Sequence, residues 1–171
     1  QVKAGEGRVV VLFGEPGIGK SRLVAALEQS VGQEPCARIR LLCSPNHQDS
    51  PLYPVIRHIE RAAGFERGDA PSVKREKLLS LLKTSASPDP DVEIIADLLS
   101  VQLTPHDVAG GHKQLKGKIA ALAAVLRHFE QMCRQGSVLV VVEDIHWADP
   151  TTLSLMDLLV EKAATLPMLV V

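Results

Sequence analysis

Apolar and polar positions divide the chain into short runs and longer stripes. Val9–Phe13 (VVVLF) is an unbroken apolar run, the pattern of a strand buried on both faces. Ile39–Cys43 (IRLLC), Val138–Val142 and Met168–Val171 (MLVV) read as three further strands. Between them apolar residues recur at helical spacing. Leu23, Val24, Leu27 and Val31 do so within Arg22–Val31, and Leu52, Val55, Ile56 and Ile59 within Pro51–Phe65. Val73–Leu82 and Val92–Leu99 are two more helical segments. Leu115, Ile119, Leu122, Leu126 and Phe129 mark a long amphipathic helix stopping near Gly136, and Pro150–Thr165 starts a last helix on its proline. Ser44–Ser50 (SPNHQDS) and Thr84–Pro90 (TSASPDP) are polar and aperiodic, as loops are.

Strands alternating with helices predict an α/β fold, a parallel sheet with helices on both faces. Residues 51–111 form a helical excursion between the second and third strands, and no internal repeat stands out. A chain of 171 residues is the size of one domain, so residues 1–171 are read as one domain with a core of its own. The polar lead-in Gln1–Arg8, and an apolar Met168–Val171 with no turn signal after it, suggest a domain incomplete at both ends and cut at the fourth strand. With 46% hydrophobic and 23% charged residues, disorder is disfavoured. A net charge of −1 offers no nucleic-acid footprint and no polybasic membrane patch. An apolar run such as Val138–Val142 is far too short to cross a bilayer. Cys36, Cys43 and Cys133 lack CxxC spacing and read as buried thiols of a reducing, cytoplasmic setting, with a metal or redox site as the alternative.

Between the first strand and the first helix, Gly14–Ser21 reads GEPGIGKS. Glycines at these places let the backbone fold back so that successive N–H groups face phosphate oxygens. Lys20 then reaches the outer phosphates and the Ser21 hydroxyl serves Mg²⁺, at a helix N-terminus whose partial positive charge favours the same anion. The candidate nucleotide-binding residues are Gly14, Glu15, Pro16, Gly17, Ile18, Gly19, Lys20, Ser21 and Arg22, with Ser21 also a metal ligand.

The other half of such a site needs acid at the end of a buried strand, and Val138–Asp144 (VLVVVED) supplies it. Adjacent carboxylates after an apolar run are costly unless a metal or a water uses them. The bland alternative is a strand that simply exits into solvent. By position Glu143 serves the metal shell and Asp144 the attacking water, and both are the candidate catalytic residues.

GEPGIGKSRL, LLCSPNHQDSPLYPVIRHIERAAGF and VLVVVEDIHWADPTTLSLMDLLVE together resemble the P-loop module of signal-transduction ATPases with numerous domains. The resemblance covers nearly the whole chain. It is closest to the AAA-like ATPase segment that follows a class III adenylate/guanylate cyclase domain in large bacterial regulators, and looser to large LuxR-type regulators. It implies a P-loop NTPase three-layer sandwich with Met168–Val171 inserted, so that the strands lie in the order second, third, fourth, first. It implies ATP and Mg²⁺, a nucleotide-driven switch, a cyclase domain upstream, tetratricopeptide-like helical repeats downstream, and an arginine beyond Val171 that meets the γ-phosphate. Without such an arginine the chain alone is expected to turn ATP over weakly. Many AAA proteins place Asp before Glu at the end of this strand, whereas here Glu143 precedes Asp144. That order leaves the two roles open, and the shorter reach of Asp144 suits slow turnover.

Other residues carry plainer alternatives. His146 either reads the γ-phosphate or holds its loop, and Trp147 either packs or stacks on a base. His47, Asp49, His106 and His112 lack ligand spacing, so no zinc site is expected. Lys113, Lys116 and Lys118 form a solvated face or a phosphate or partner contact. The function expected is a regulatory ATPase with slow hydrolysis, and the alternative is an ATP-gated interaction module without productive hydrolysis. A DNA-loading motor is disfavoured by the charge, and a kinase by the absence of a recognisable acceptor site.

Overall fold

The computed structural model describes residues 6–31, 36–82, 90–101 and 114–171. Nearly all of the expected loop Thr84–Pro90, and the end of the 51–111 excursion, lie outside these residues. Among the described residues the strands are β1 (Arg8–Val9), β2 (Cys36–Leu42), β3 (Ser137–Glu143) and β4 (Met168–Val170). The α-helices among the described residues are α1 (Lys20–Val31), α2 (Tyr53–Ala62), α3 (Pro71–Leu81), α4 (Pro90–Leu98), α5 (Gln114–Gln135) and α6 (Pro150–Ala163). The strands lie in the order β1-β4-β3-β2 and every pair is parallel. This is the expected α/β sheet, with the fourth strand inserted between the first and the third.

Alternation along β3 assigns its two faces. Val138 and Val140 join Ile39, Leu41, Val55, Ile59, Ile95, Phe129, Leu155 and Leu159 in the main core, built with α2, α4, α5 and α6. Leu139 and Val141 point the other way and meet Val24 of α1, with Leu27, Cys36, Leu169 and Val171 partly buried beside them. Helices cover both faces, one far more heavily than the other. Each helix end is local chemistry. Helix α6 starts on Asp149, whose Oδ1 accepts from the N–H groups of Thr151 and Thr152 at 2.9 and 3.0 Å, with Pro150 as the first helical residue. Helix α5 ends at Gln135, just before Gly136.

Three expectations need correction. The first strand is not Val9–Phe13 buried on both faces. It is Arg8–Val9, and Val10–Phe13 are exposed, Phe13 to 88%. The cause is position: β1 is outermost in the order, and its pairing with β4 reaches only as far as a bond from Val10 N–H to Val170 C=O at 2.8 Å. A run of apolar side chains makes a strand only where a neighbour offers hydrogen bonds. Secondly, α1 begins at Lys20 rather than Arg22, and of its apolar stripe only Val24 is buried; Leu23 is 63% exposed. Thirdly, Leu52 precedes α2 in the left-handed region (φ 57°) while its side chain is buried in the main core.

Cys43 and Cys133 are buried and Cys36 is half-buried, all as free thiols. Burial, with nearby carboxylates adding to it, pushes Cys43 and Cys133 up to about 11, so neither is a reactive thiolate. No helix among the described residues is long and apolar enough to cross a membrane.

Candidate nucleotide site

In a parallel sheet all strands end at one edge, and ligands settle there. The loop after β1 and the acidic end of β3 share that edge, with β4 between them, a separation of about 10 Å from the strand spacing. Val9, Val170 and Val140 stand level in the ladder.

The loop from Gly14 to Gly19 turns on glycine. Gly17 and Gly19 have φ of 82° and 105°, conformations that side chains strain to adopt, and the place of a Cβ at either is open space. Ile18 N–H reaches back to Glu15 C=O at 3.3 Å. Lys20 folds across the loop, its Nζ donating to Gly14 C=O at 2.7 Å and to Glu15 C=O at 3.0 Å. Its ammonium is thereby held at the mouth of the loop by exchangeable partners. Glu15, Pro16, Ile18, Ser21 and Arg22 are exposed, and the first turn of α1 carries no acidic residue that would repel an anion.

Glu143 is half-buried and Asp144 exposed. Strand alternation places Glu143 on the α1 face with Leu139 and Val141. At Asp144 the backbone turns into the left-handed region, φ 55° and ψ 42°, so alternation does not force the two carboxylates apart. A 3₁₀ turn, Ile145–Trp147, follows, closed by Trp147 N–H on Asp144 C=O at 2.9 Å. Sequence reasoning offered Glu143 a metal, a water or bulk solvent. The structure gives it a guanidinium: Arg40 of β2 donates from Nε to Oε1 at 2.6 Å, and its Nη2 forms an ion pair with the same oxygen at 2.5 Å. A charge inside the apolar run Ile39–Cys43 signals that Arg40 needs a partner, though not which one.

The remaining candidates separate. The His146 ring lies 4.9 Å from that of Trp147, and both residues are exposed, so Trp147 packs on histidine rather than in the core. The residue that anchors this loop is Asp149, which the sequence reading missed. It is buried, caps α6, and accepts a short hydrogen bond from the buried Thr152 hydroxyl. Asp before Pro at a helix start was a legible sign of it. His47 stacks on Tyr53 at 3.5 Å, and Lys118 is exposed. His106, His112 and Lys113 lie outside the described residues.

The donors fit a hard cation. Ser21 and Glu143, the candidate metal-side residues, both offer side-chain oxygen, and Mg²⁺ takes one or two carboxylates together with water and phosphate oxygens. Among the described residues no group of three or more His, Cys, Asp and Glu forms an all-protein cage.

Comparison with known proteins bears on the fold. A family model described as the AAA ATPase domain matches residues 1–171. An uncharacterized protein of Rhizobium meliloti (strain 1021) is 30% identical over 171 residues, which cover 99% of this chain. The chain spans 16% of the length of that relative. No solved structure matches it.

Proposed function

The chain belongs to the AAA ATPase domain family, and from that premise we propose that it is the Mg-ATP-binding regulatory module of a multidomain cytoplasmic signalling protein. Residues 1–171 act as one P-loop NTPase unit, the helical excursion of 51–111 included. Slow hydrolysis resets a conformational switch. A cyclase domain upstream and helical repeats downstream are the partners that the sequence resemblance supports, and a relative of which this chain is 16% is consistent with them.

The observation that carries the proposal is Lys20 laid over a glycine loop that leads directly into α1. In use, the loop N–H groups and Lys20 hold phosphate oxygens, Lys20 exchanging its two carbonyl partners for them. Ser21 and Glu143 hold the cation's shell, and Asp144 orients a water and accepts its proton. Bound Mg-ATP supplies the scissile β–γ anhydride and the divalent charge.

The test is nucleotide titration of the full chain and of Lys20→Ala. Loss of a charge-assisted contact should weaken ATP binding about 10- to 100-fold, with an unchanged circular dichroism spectrum. Equal affinity in a folded variant would remove the nucleotide assignment. Single-turnover hydrolysis by a protein extended past Val171, so that it carries the arginine the resemblance implies, decides between the switch and a module that binds without productive turnover.

A further inference from the structure

Glu143 is braced from two elements. On β2, Ile39 and Leu41 enter the main core, so Arg38, Arg40 and Leu42 face the α1 side. There Arg40 Nε donates to one oxygen, Glu143 Oε1, and Nη2 stands 2.5 Å from that same oxygen. Its third nitrogen, Nη1, stands 3.9 Å from Oε2 of Glu28 on α1. Arg40 is 48% exposed and the two carboxylates 22% and 23%. Pairs this open contribute only about 0–1 kcal/mol to stability. Orientation is therefore the more substantial consequence of the contact.

We propose that Arg40 is a positioning residue for the divalent cation. It fixes one oxygen of Glu143 so that the other, Oε2, is presented to the cation's shell. The inference rests on Glu143 being the metal-side carboxylate of the proposed ATP site. Glutamate carries one more rotatable bond than aspartate. A planar guanidinium fork restrains that bond in a way a point charge does not. Glu28, about two helical turns beyond Ser21, steadies Arg40 in turn. The row Glu28–Arg40–Glu143 thus ties the helix behind the phosphate loop to the strand that ends in acid. Partners of this outer kind typically change metal affinity about 10- to 100-fold when removed.

The experiment measures ATP affinity of the full chain in Mg²⁺ and in EDTA. The proteins compared are the unaltered chain, Arg40→Gln, Arg40→Lys, Glu143→Gln and the double variant Arg40→Gln/Glu143→Gln. In Arg40→Gln the enhancement by Mg²⁺ should fall about 10-fold or more, with affinity in EDTA unchanged. Arg40→Lys should recover part of it, and the double variant should be no weaker than Glu143→Gln alone. If the enhancement rises in Arg40→Gln, Arg40 competes with the cation and the proposal is overturned. If it is unchanged there but lost in Glu143→Gln, the inference fails while the site stands. Full enhancement in Glu143→Gln removes the metal assignment and this inference with it. Should Arg40→Gln not fold by circular dichroism, Glu28→Gln carries the test. A smaller loss in the same direction supports the brace, and no loss overturns it.

Discussion

The two faces of the sheet are built to different standards. On one, α2, α4, α5 and α6 close over Ile39, Leu41, Val138 and Val140, and Phe129 is fully buried. On the other, the buried cluster among the described residues is Val24, Leu139 and Val141. The phosphate loop, Glu143 and Arg40 belong to the second face. Free energy from burial scales with apolar area removed from water, so cohesion lies on the first face and the candidate chemistry on the second. Segments with few buried contacts open locally at low cost. A loop that must exchange the partners of Lys20 is well placed there, because its rearrangement leaves the main core untouched.

The comparison can be broken most directly at its heavy end. Phe129→Ala removes a wholly buried ring from the middle of α5. It should cost about 3–5 kcal/mol in urea unfolding. A cost below about 1 kcal/mol would mean that the core collapses around the gap, and that the asymmetry between faces is not one of stability.

The same asymmetry governs what could be read before the structure. The run Val138–Val142 formed its strand as expected because β2 and β4 flank it on both sides. Val9–Phe13 carries an equally apolar run and forms a strand only at its start, since composition does not reveal which strand lacks a second neighbour. Periodicity placed Leu52 on a helix face, but a left-handed φ leaves no mark on hydrophobic spacing. In the site, the loop was legible because its backbone demands glycine at fixed offsets. The Arg40–Glu143 pair was not, since it joins residues 103 apart in sequence and exists only through the parallel register of β2 with β3. Asp144 was legible as acid but not as the point where the backbone turns.

A second prediction concerns acid. His58 on α2 is half-buried, and burial, then Arg61, then His128 lower it to about 4 from an ordinary 6.5. Burial lowers His128 as well. Below pH 6.5 the unfolded chain takes up protons that the folded chain refuses. Stability is then complete above about 6.5, declines as pH falls towards 4, and levels off below that. The His58 contribution reaches up to about 3 kcal/mol. Urea midpoints at pH 7.5, 5.5 and 4.5 should show the decline, and His58→Gln should flatten it. An equal slope in that variant would place the acid sensitivity elsewhere in the heavily packed half.

The smallest effect expected is the most informative about the thin face. Leu23 lies in the first turns of α1, directly behind Lys20 and Ser21, and is 63% exposed. Truncation to alanine removes little buried area there, and alanine is at least as good a helix former as leucine. Leu23→Ala should therefore shift unfolding free energy by no more than about 0.5 kcal/mol, several-fold less than Phe129→Ala. Affinity for ATP should stay within about twofold, since the side chain adds nothing to the loop N–H groups or to Lys20. Unfolding and titration of the same preparation measure both. A loss above about 1 kcal/mol with affinity intact would show that Leu23 is covered in the full chain, and the contrast between faces would then shrink. A loss of affinity with stability intact would instead show that helix α1 transmits packing to the loop, and that the thin face is thin for a functional reason.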